Sequence, residues 1–364
     1  MHKPKPPSAL HYPLGEHLPP GGQVTKVAPG VFWLRMGLPF ALDHINLWLL
    51  RDSQPDPQAP EGLREGWTVV DCGIDDAATR EAWQQVEASA MQGLPVLRVI
   101  VTHMHPDHMG LAHWLCERWQ APLWMGLAEY QSARLASLGQ IGLGSSYATD
   151  FFAQHGWNTA EDLATVQRHM NHYAELVPAV PPTHVRLMDG LKLQIGERSW
   201  QCLRGLGHSP EHMALWCEAD RLFISGDMLL PSISSNISVH AQEPQADPLA
   251  WFLNSLQEMQ QRLPDDTLVM PSHGRPFQGV HRRVAQLQAH HAERLQELLQ
   301  ACQAAPLTAH EALPVLFKRS LNRQQMTFAM GEALAHLHAL WHAGQVQRHF
   351  DAANKVYRFQ ACGI

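Results

Sequence analysis

One run of seven residues, Thr102-His103-Met104-His105-Pro106-Asp107-His108, constrains this chain more than any other part of its sequence. Residues two apart on extended backbone project from the same side, so His103 and His105 can converge on one ion. Asp107 and His108, just beyond Pro106, turn toward a second, so one short loop can begin two sites. Three later fragments place a metal-capable residue beside a small one, as a ligand on a tight loop after a strand requires. They are Gly207-His208-Ser209-Pro210, Ser225-Gly226-Asp227 and Pro271-Ser272-His273-Gly274. This set offers only nitrogen and oxygen donors, which suits Zn²⁺ first and also Fe or Mn.

The surrounding pattern is that of an α/β protein. Gln23–Trp33 and Ile45–Leu50 read as strands separated by a Gly/Pro-rich turn, and Thr68–Val70 reads as a strand meeting the loop Asp71-Cys72-Gly73. Asp75–Gln92 has helical composition, Pro95–Thr102 is a β-branched run ending at the first histidine, and Gly110–Trp119 resumes as helix. The cluster therefore falls at the carboxyl end of a strand, where α/β folds gather ligands. From about Trp124 to Pro182 long helical stretches predict an insertion or lid, with Gly142–Ser146 as a hinge. Strands resume at His184–Arg186, Lys192–Ile195, Trp200–Leu203, Met213–Cys217, Arg221–Ser225 and Leu268–Met270, which ends this unit near Val280.

Beyond it, His281–Gln303 predicts a linking helix. Thr308–Lys318 and Arg323–Ala343 follow as helices, with Gly344 as a C-cap, and Val346–Phe350 and Val356–Gln360 as a hairpin. Helix, helix, hairpin describes a winged-helix-like domain over 281–364. Residues 1–22, rich in Pro, Lys and His and without the apolar core of an export signal, read as a loose arm on a cytoplasmic protein. At 364 residues, the chain exceeds what one core usually holds. Its apolar fraction of 45% is that of a globular protein, and no stretch approaches the ~20 apolar residues of a membrane span. Six scattered cysteines show no disulfide-like spacing and suit a reducing compartment.

The order HxHxDH, then His, then Asp, then His resembles the metallo-β-lactamase superfamily, over about Gln23 to Val280. The resemblance implies an αββα sandwich in which His103, His105 and His208 hold one divalent metal ion. Asp107, His108 and His273 would hold another, and Asp227 would bridge both. It implies a hydrolase whose nucleophile is a hydroxide shared by the two ions, with Asp107 orienting it or moving its proton. Gly207–Trp216 and the tail further resemble the subfamily containing the mitochondrial lactamase-like endoribonuclease and many bacterial hydrolases with a C-terminal winged helix. That subfamily usually carries T-D-D-H-M after the ligand histidine, whereas this chain has Ser209-Pro210-Glu211-His212-Met213.

Several neighbours invite two readings. His212 is either a supporting histidine beside Met213 or part of the site, and Asp71 is either a turn residue or a hydrogen-bond acceptor for a ligand histidine. His44 and Asn46 can face the metals from a neighbouring loop. His169, His172 and Tyr173 line a pocket or form a polar helix face.

The net charge of −7 weighs against a general nucleic-acid binder. Residues 281–364 nonetheless hold nine Lys/Arg against five Asp/Glu, so Arg348, Lys355 and Arg358 on the hairpin offer an RNA contact. Arg323–Ala343 is mostly apolar and histidine, which predicts packing or homodimer contact instead. The expected activity is hydrolysis of a small ester, thioester or lactone. RNA phosphodiester hydrolysis is the second reading, and a nucleic-acid-binding module with a structural metal site is the third.

Overall fold

The computed structural model of the chain describes residues 9–40, 42–59, 62–139 and 146–363. Its first sheet opens with β1 (Val24–Ala28), β2 (Val31–Gly37), β3 (His44–Pro55) and β4 (Leu63–Val70), each antiparallel to the last. Both faces of β3 are apolar. Leu47 and Leu49 pack on the helical side and Trp48 and Leu50 toward the second sheet, all of them buried. Each such side chain contributes roughly 1.5–3 kcal/mol. With two apolar faces, alternation alone leaves the register open. A hydrogen bond from Trp33 Nε1 to Asn46 Oδ1, at 2.8 Å, helps pin it.

Helical crossovers then add parallel strands. α1 (Ala77–Ser89) leads to β5 (Val96–Ile100), and α2 (Pro106–Met109) and α3 (Ala112–Trp119) lead to β6 (Leu123–Gly126). The insertion α4 (Leu127–Ser137), α5 (Ser146–Gln154) and α6 (Ala160–Leu176) leads to β7 (Val185–Leu187). The second sheet follows as β8 (Lys192–Ile195), β9 (Arg198–Gly205), β10 (His212–Cys217) and β11 (Leu222–Gly226). It closes with α7 (Pro248–Arg262) and β12 (Leu268–Pro271), the latter parallel to β11. Last come α8 (Val280–Ala304), α9 (Ala309–Leu316), α10 (Arg323–His342) and the hairpin β13 (Val346–Asp351) and β14 (Val356–Ala361).

Among the described residues the sheets have seven and five strands, and three apolar layers hold them. Trp33, Trp48, Ile100, Trp200, Met213 and Met270 fill the space between the sheets. Leu47, Val99, Trp83 and Leu115 join the first sheet to α1 and α3. The third layer lies against the second sheet and joins α7, α8 and α10 through Phe252, Val284 and Leu334, and it also takes in Phe152 and Trp157 of the insertion. Helices, sheet, sheet, helices is the expected αββα order, and the terminal order of helix, helix, hairpin is also as expected. The insertion thus shares a core with the C-terminal unit, and Met330, Ala333, Leu334 and Leu337 of α10 are spent in that core.

Four expectations change. Gln23–Trp33 is two strands, because Pro29-Gly30, with Gly30 at φ 68°, turns the chain back between β1 and β2. Trp124–Gly126 lies in β6, so the helical insertion begins at Leu127. The helix α7 adds an element between β11 and β12, where Asp247 caps it by accepting from Ala250 N at 3.2 Å and Pro248 occupies its first turn. Finally, residues 9–22 are docked: Leu10 and Tyr12 pack on the core, and Arg275 stacks over Tyr12 at 4.4 Å. Residues 1–8 of the expected arm lie outside the described residues.

No helix among the described residues is long and apolar enough to cross a membrane.

Candidate metal centre

Four loops, each following a strand, converge where the carboxyl ends of β5 and β11 meet. The first is organised by Asp71, which follows β4 with φ 61°. Its carboxylate accepts from Thr102 N at 2.8 Å and from His108 Nδ1 at 2.8 Å. With its Nδ1 proton committed to Asp71, His108 turns Nε2 inward, where that buried atom has no partner. Pro106 starts the single turn α2 that carries Asp107 and His108 away from His103 and His105. Asp71 therefore does what the second of its two readings supposed.

Two of the other three loops repeat the device. His208 Nδ1 donates to the Asn236 carbonyl at 2.7 Å, and His273 Nδ1 donates to the His44 carbonyl at 2.7 Å. A carbonyl only accepts, so each ring must carry a proton on Nδ1, which leaves Nε2 to face the centre. Asp227 sits between the two halves. Its Oδ2 is 3.4 Å from His208 Nε2, while its Oδ1 lies 3.5 Å from His108 Nε2 and 3.4 Å from His273 Nε2. Asp107 Oδ2 is 3.4 Å from His273 Nε2.

Three donor groups result, each with its atoms within 4.8 Å of one another: His103, His105 and His208; His103, His108 and Asp227; Asp107, His108 and His273. All seven residues singled out in the sequence are thus brought together.

These donors suit cations. His103 Nε2 lies 2.9 Å from His105 Nδ1 and 3.2 Å from His208 Nε2. Tetrahedral ligands on Zn²⁺, with bonds near 2.0–2.1 Å, stand about 3.3 Å apart. Buried His108 Nε2 and Asp227 Oδ1, both without a hydrogen-bond partner, face the same space. Bare acceptors of this kind are costly unless something positive joins them.

The electrostatics divide along the same line. Burial and neighbouring imidazoles hold His103 well below the usual histidine range and His105 down to about 3, so both are neutral. Burial also works against protonation of His273 and His108. Asp227 and Asp107 overcome it for His273, which rises to about 10, and Asp71 leads the carboxylates that raise His108. Burial opposes ionisation of Asp107 and Asp227, yet the facing histidines lower both, Asp107 to about 2. Without metal, His273 therefore holds a second proton at pH 8, and ligation must displace it. Zn²⁺ uptake in weakly buffered solution at that pH is expected to release at least one proton per chain. A pH-stat titration checks it, and uptake without release would contradict this account of the site.

His212 is a supporting residue: its Nε2 accepts from Asp227 N at 3.2 Å, and it belongs to none of the donor groups. A Cβ on Gly226 (φ 51°) would stand 2.1 Å from that Nε2, so only glycine lets the Asp227 loop pass over the ring. His44 and Asn46 act from behind rather than facing the centre. His44 Nε2 accepts from Gly274 N at 2.8 Å, and Asn46 Nδ2 donates to the Pro271 and Gly274 carbonyls at 2.8 and 2.7 Å. Of the insertion residues, the Tyr173 hydroxyl donates to the Met104 carbonyl at 2.6 Å and His172 pairs with Glu175 at 2.8 Å. The His169 side chain and residues 140–145, most of the expected hinge, lie outside the described residues.

Three further residues were missed in the sequence. Glu129 of α4 is fully buried, and its carboxylate accepts from Met104 N (2.8 Å), Ser209 Oγ (2.6 Å) and Glu211 N (2.6 Å). It ties the His105 loop to the His208 loop. Asn236 supplies the carbonyl that orients His208. His240, four residues after Asn236, is exposed at its surface, and desolvation by the protein beside it, with the charge of His208, lowers its pKa to about 4. The hairpin cations are largely used by the fold. Arg348 stacks over Trp341 at 3.9 Å and Tyr357 at 4.9 Å, and Arg358 pairs with Glu311 and Asp351 at 2.9 and 3.2 Å.

Comparison with known proteins gives the family. Residues 62–273 match the family described as the Metallo-beta-lactamase superfamily, and residues 295–362 match the Metallo-beta-lactamase-like, C-terminal domain. The chain is similar to "Probable metallo-hydrolase YqjP" of Bacillus subtilis (strain 168), with 22% identity over 332 residues, covering 90% of this chain and 97% of that one. A crystal structure of a beta-lactamase domain protein from Burkholderia ambifaria shares 49% identity at a TM-score of 0.88, covering 97% of this chain and 98% of the other. A metallo-beta-lactamase family protein from Thermus thermophilus shares 27% identity at a TM-score of 0.75, covering 93% and 100%.

Proposed function

The chain belongs to the metallo-β-lactamase superfamily, and from that premise we propose that this metal-dependent hydrolase holds two divalent cations and cleaves a small ester, thioester or lactone. His103, His105 and His208 would take one cation, Asp107, His108 and His273 the other, and Asp227 both. Zn²⁺ is the first choice, with Fe or Mn compatible with the same donors. The observation that carries the reading is the convergence of the seven residues around the unpartnered His108 Nε2 and Asp227 Oδ1.

Bound there, the cations would supply a hydroxide near neutral pH and polarise the scissile carbonyl. The chain's own residues do the rest. Asp107, on the first turn of α2 and kept ionised by the facing histidines, can accept a proton at Oδ2 and pass it on. Carbonyl and carboxylate acceptors behind His108, His208 and His273 fix their rings, so no reorganisation is needed when charge develops. Tyr173 holds the insertion against the Met104 peptide, which favours an enclosed site for a small substrate.

RNA hydrolysis requires cations free to meet phosphates. Arg348 is packed between aromatic rings and Arg358 is paired with carboxylates, which favours the small-substrate reading.

The Zn²⁺-loaded protein is expected to hydrolyse members of an ester, thioester and lactone panel, to lose that activity on chelation, and to leave single-stranded RNA intact. Metal-dependent RNA cleavage without turnover of the panel would replace this proposal with the phosphodiesterase reading. Salt-sensitive RNA binding that survives chelation, with no turnover of either substrate, would point instead to a binding module.

A further inference from the structure

Three consecutive residues join the metal loops to the helices that follow the second sheet. Asn236 offers the carbonyl that orients His208, and Ser235 Oγ donates to the main-chain carbonyl of Asp227. Ser234, just before them, reaches the other way: its Oγ lies 3.0 Å from His291 Nε2 on α8. His291 Nδ1 lies 3.2 Å from His336 Nε2 on α10, and His336 Nδ1 lies 2.8 Å from the Glu332 carbonyl. Both rings are buried, and Phe252 meets His291 edge-on at 6.1 Å.

One carbonyl sets every proton in this chain. The Glu332 carbonyl only accepts, so His336 carries a proton on Nδ1. Burial holds His336 down to about 4 and His291 down to about 3, so each ring is neutral at neutral pH and carries one proton. His336 Nε2 is then bare and accepts from His291 Nδ1, which leaves His291 Nε2 bare to accept from Ser234 Oγ. The Ser235 carbonyl, at 3.4 Å, is the poorer acceptor for that hydroxyl. Two imidazoles in an apolar layer cost stability that apolar side chains would not, whereas a chain with every member satisfied fixes one place for the group at its end. That group is the Ser234 hydroxyl, two residues from the carbonyl behind His208. Arg283 Nη2 donates to the Ile233 carbonyl at 2.8 Å and Val239 N to the Gly331 carbonyl at 3.1 Å. Between these two anchors, Ser234 is where α8 grips a side chain of the segment.

We propose that His291 is a positioning residue for the metal centre: it holds the Ser234 hydroxyl and thereby sets the Asn236 carbonyl that aims the His208 ring. His336, which fixes the tautomer of His291, lies in the matched C-terminal domain, so that domain reaches the site of the His103, His105 and His208 ion. The inference rests on the two-cation proposal above.

Full-length protein loaded with Zn²⁺ and titrated with a chelator tests it. Ser234→Ala and His291→Phe are each expected to weaken, about tenfold, the ion that His208→Ala removes, the low end of what losing a partner behind a ligand costs. The ion that His273→Ala removes should stay within about threefold of the native chain, because Asp227 N is held separately by His212. Ser234 and His291 share one hydrogen bond, so the double substitution should lose no more than either alone. General destabilisation would instead loosen both ions, and its losses would add. Affinities are compared below each variant's own unfolding temperature, and Ser234→Ala carries the test if His291→Phe does not fold.

Native affinity in Ser234→Ala, equal weakening of both ions, or additive losses in the double substitution would overturn the inference alone. A native chain that takes up no Zn²⁺ would overturn the two-cation proposal, and the inference with it.

Discussion

Asp227→Ala is expected to lower hydrolysis by about four orders of magnitude, ~5 kcal/mol of transition-state stabilisation, and to reduce bound metal from two ions per chain to one or none. The size follows from where the carboxylate stands. One oxygen faces His208, the other faces both His108 and His273, and no other residue among the seven reaches both halves of the centre in this way. On the two-cation proposal, removing it would take a ligand from each ion and the only shared one between them. It also strips negative charge from beside His108 and His273, whose pKa values Asp227 helps to raise, so these rings should lose protons rather than remain as unpaired buried cations. Folding should therefore survive, and far-ultraviolet circular dichroism checks that it does. Elemental analysis and turnover are the decisive measurements: two ions retained with activity within tenfold of native would remove Asp227 from its bridging place.

Asp227 could be singled out from sequence because its signal is local. A ligand at a strand end needs a polar residue of the right type next to a small one, and Ser225-Gly226-Asp227, Gly207-His208 and His273-Gly274 each show that pairing within three residues. The residues that orient the ligands leave no such trace. Glu129 meets partners 25, 80 and 82 positions away, and within Leu127–Ser137 it looks like any glutamate on a helix. Asn236 meets His208 across 28 positions through its main-chain carbonyl, a group every residue type carries. Asp71 stood between these cases: its place after a strand was readable, but its bond to His108 depends on β4 lying beside β5. The same contrast runs through the fold. Long apolar strands and capped helices were legible, whereas the four residues of β6 are too few to show a period, and α7 has a polar exposed face that hides its buried Leu249, Phe252 and Leu256.

Glu129→Ala is the substitution expected to cost the most stability, about 3–5 kcal/mol. It removes the acceptor of three hydrogen bonds at once and leaves Met104 N, Ser209 Oγ and Glu211 N to find partners in a buried place, each orphan costing ~1–3 kcal/mol before relaxation. Thermal unfolding should fall by roughly 5 °C. Activity should fall as well, on the order of 100-fold, because Met104 precedes His105 and Ser209 follows His208, so both ligand loops lose one common anchor. Met104 would then keep the Tyr173 hydroxyl on its carbonyl and lose the partner of its N–H. Glu129→Gln separates the two effects. It preserves shape and one acceptor but turns an amide donor toward groups that are themselves donors, so it should recover part of the stability and little of the activity. A Glu129→Ala protein with native thermal stability and native metal content would show that the two loops are set independently, by Asp71 on one side and Asn236 on the other.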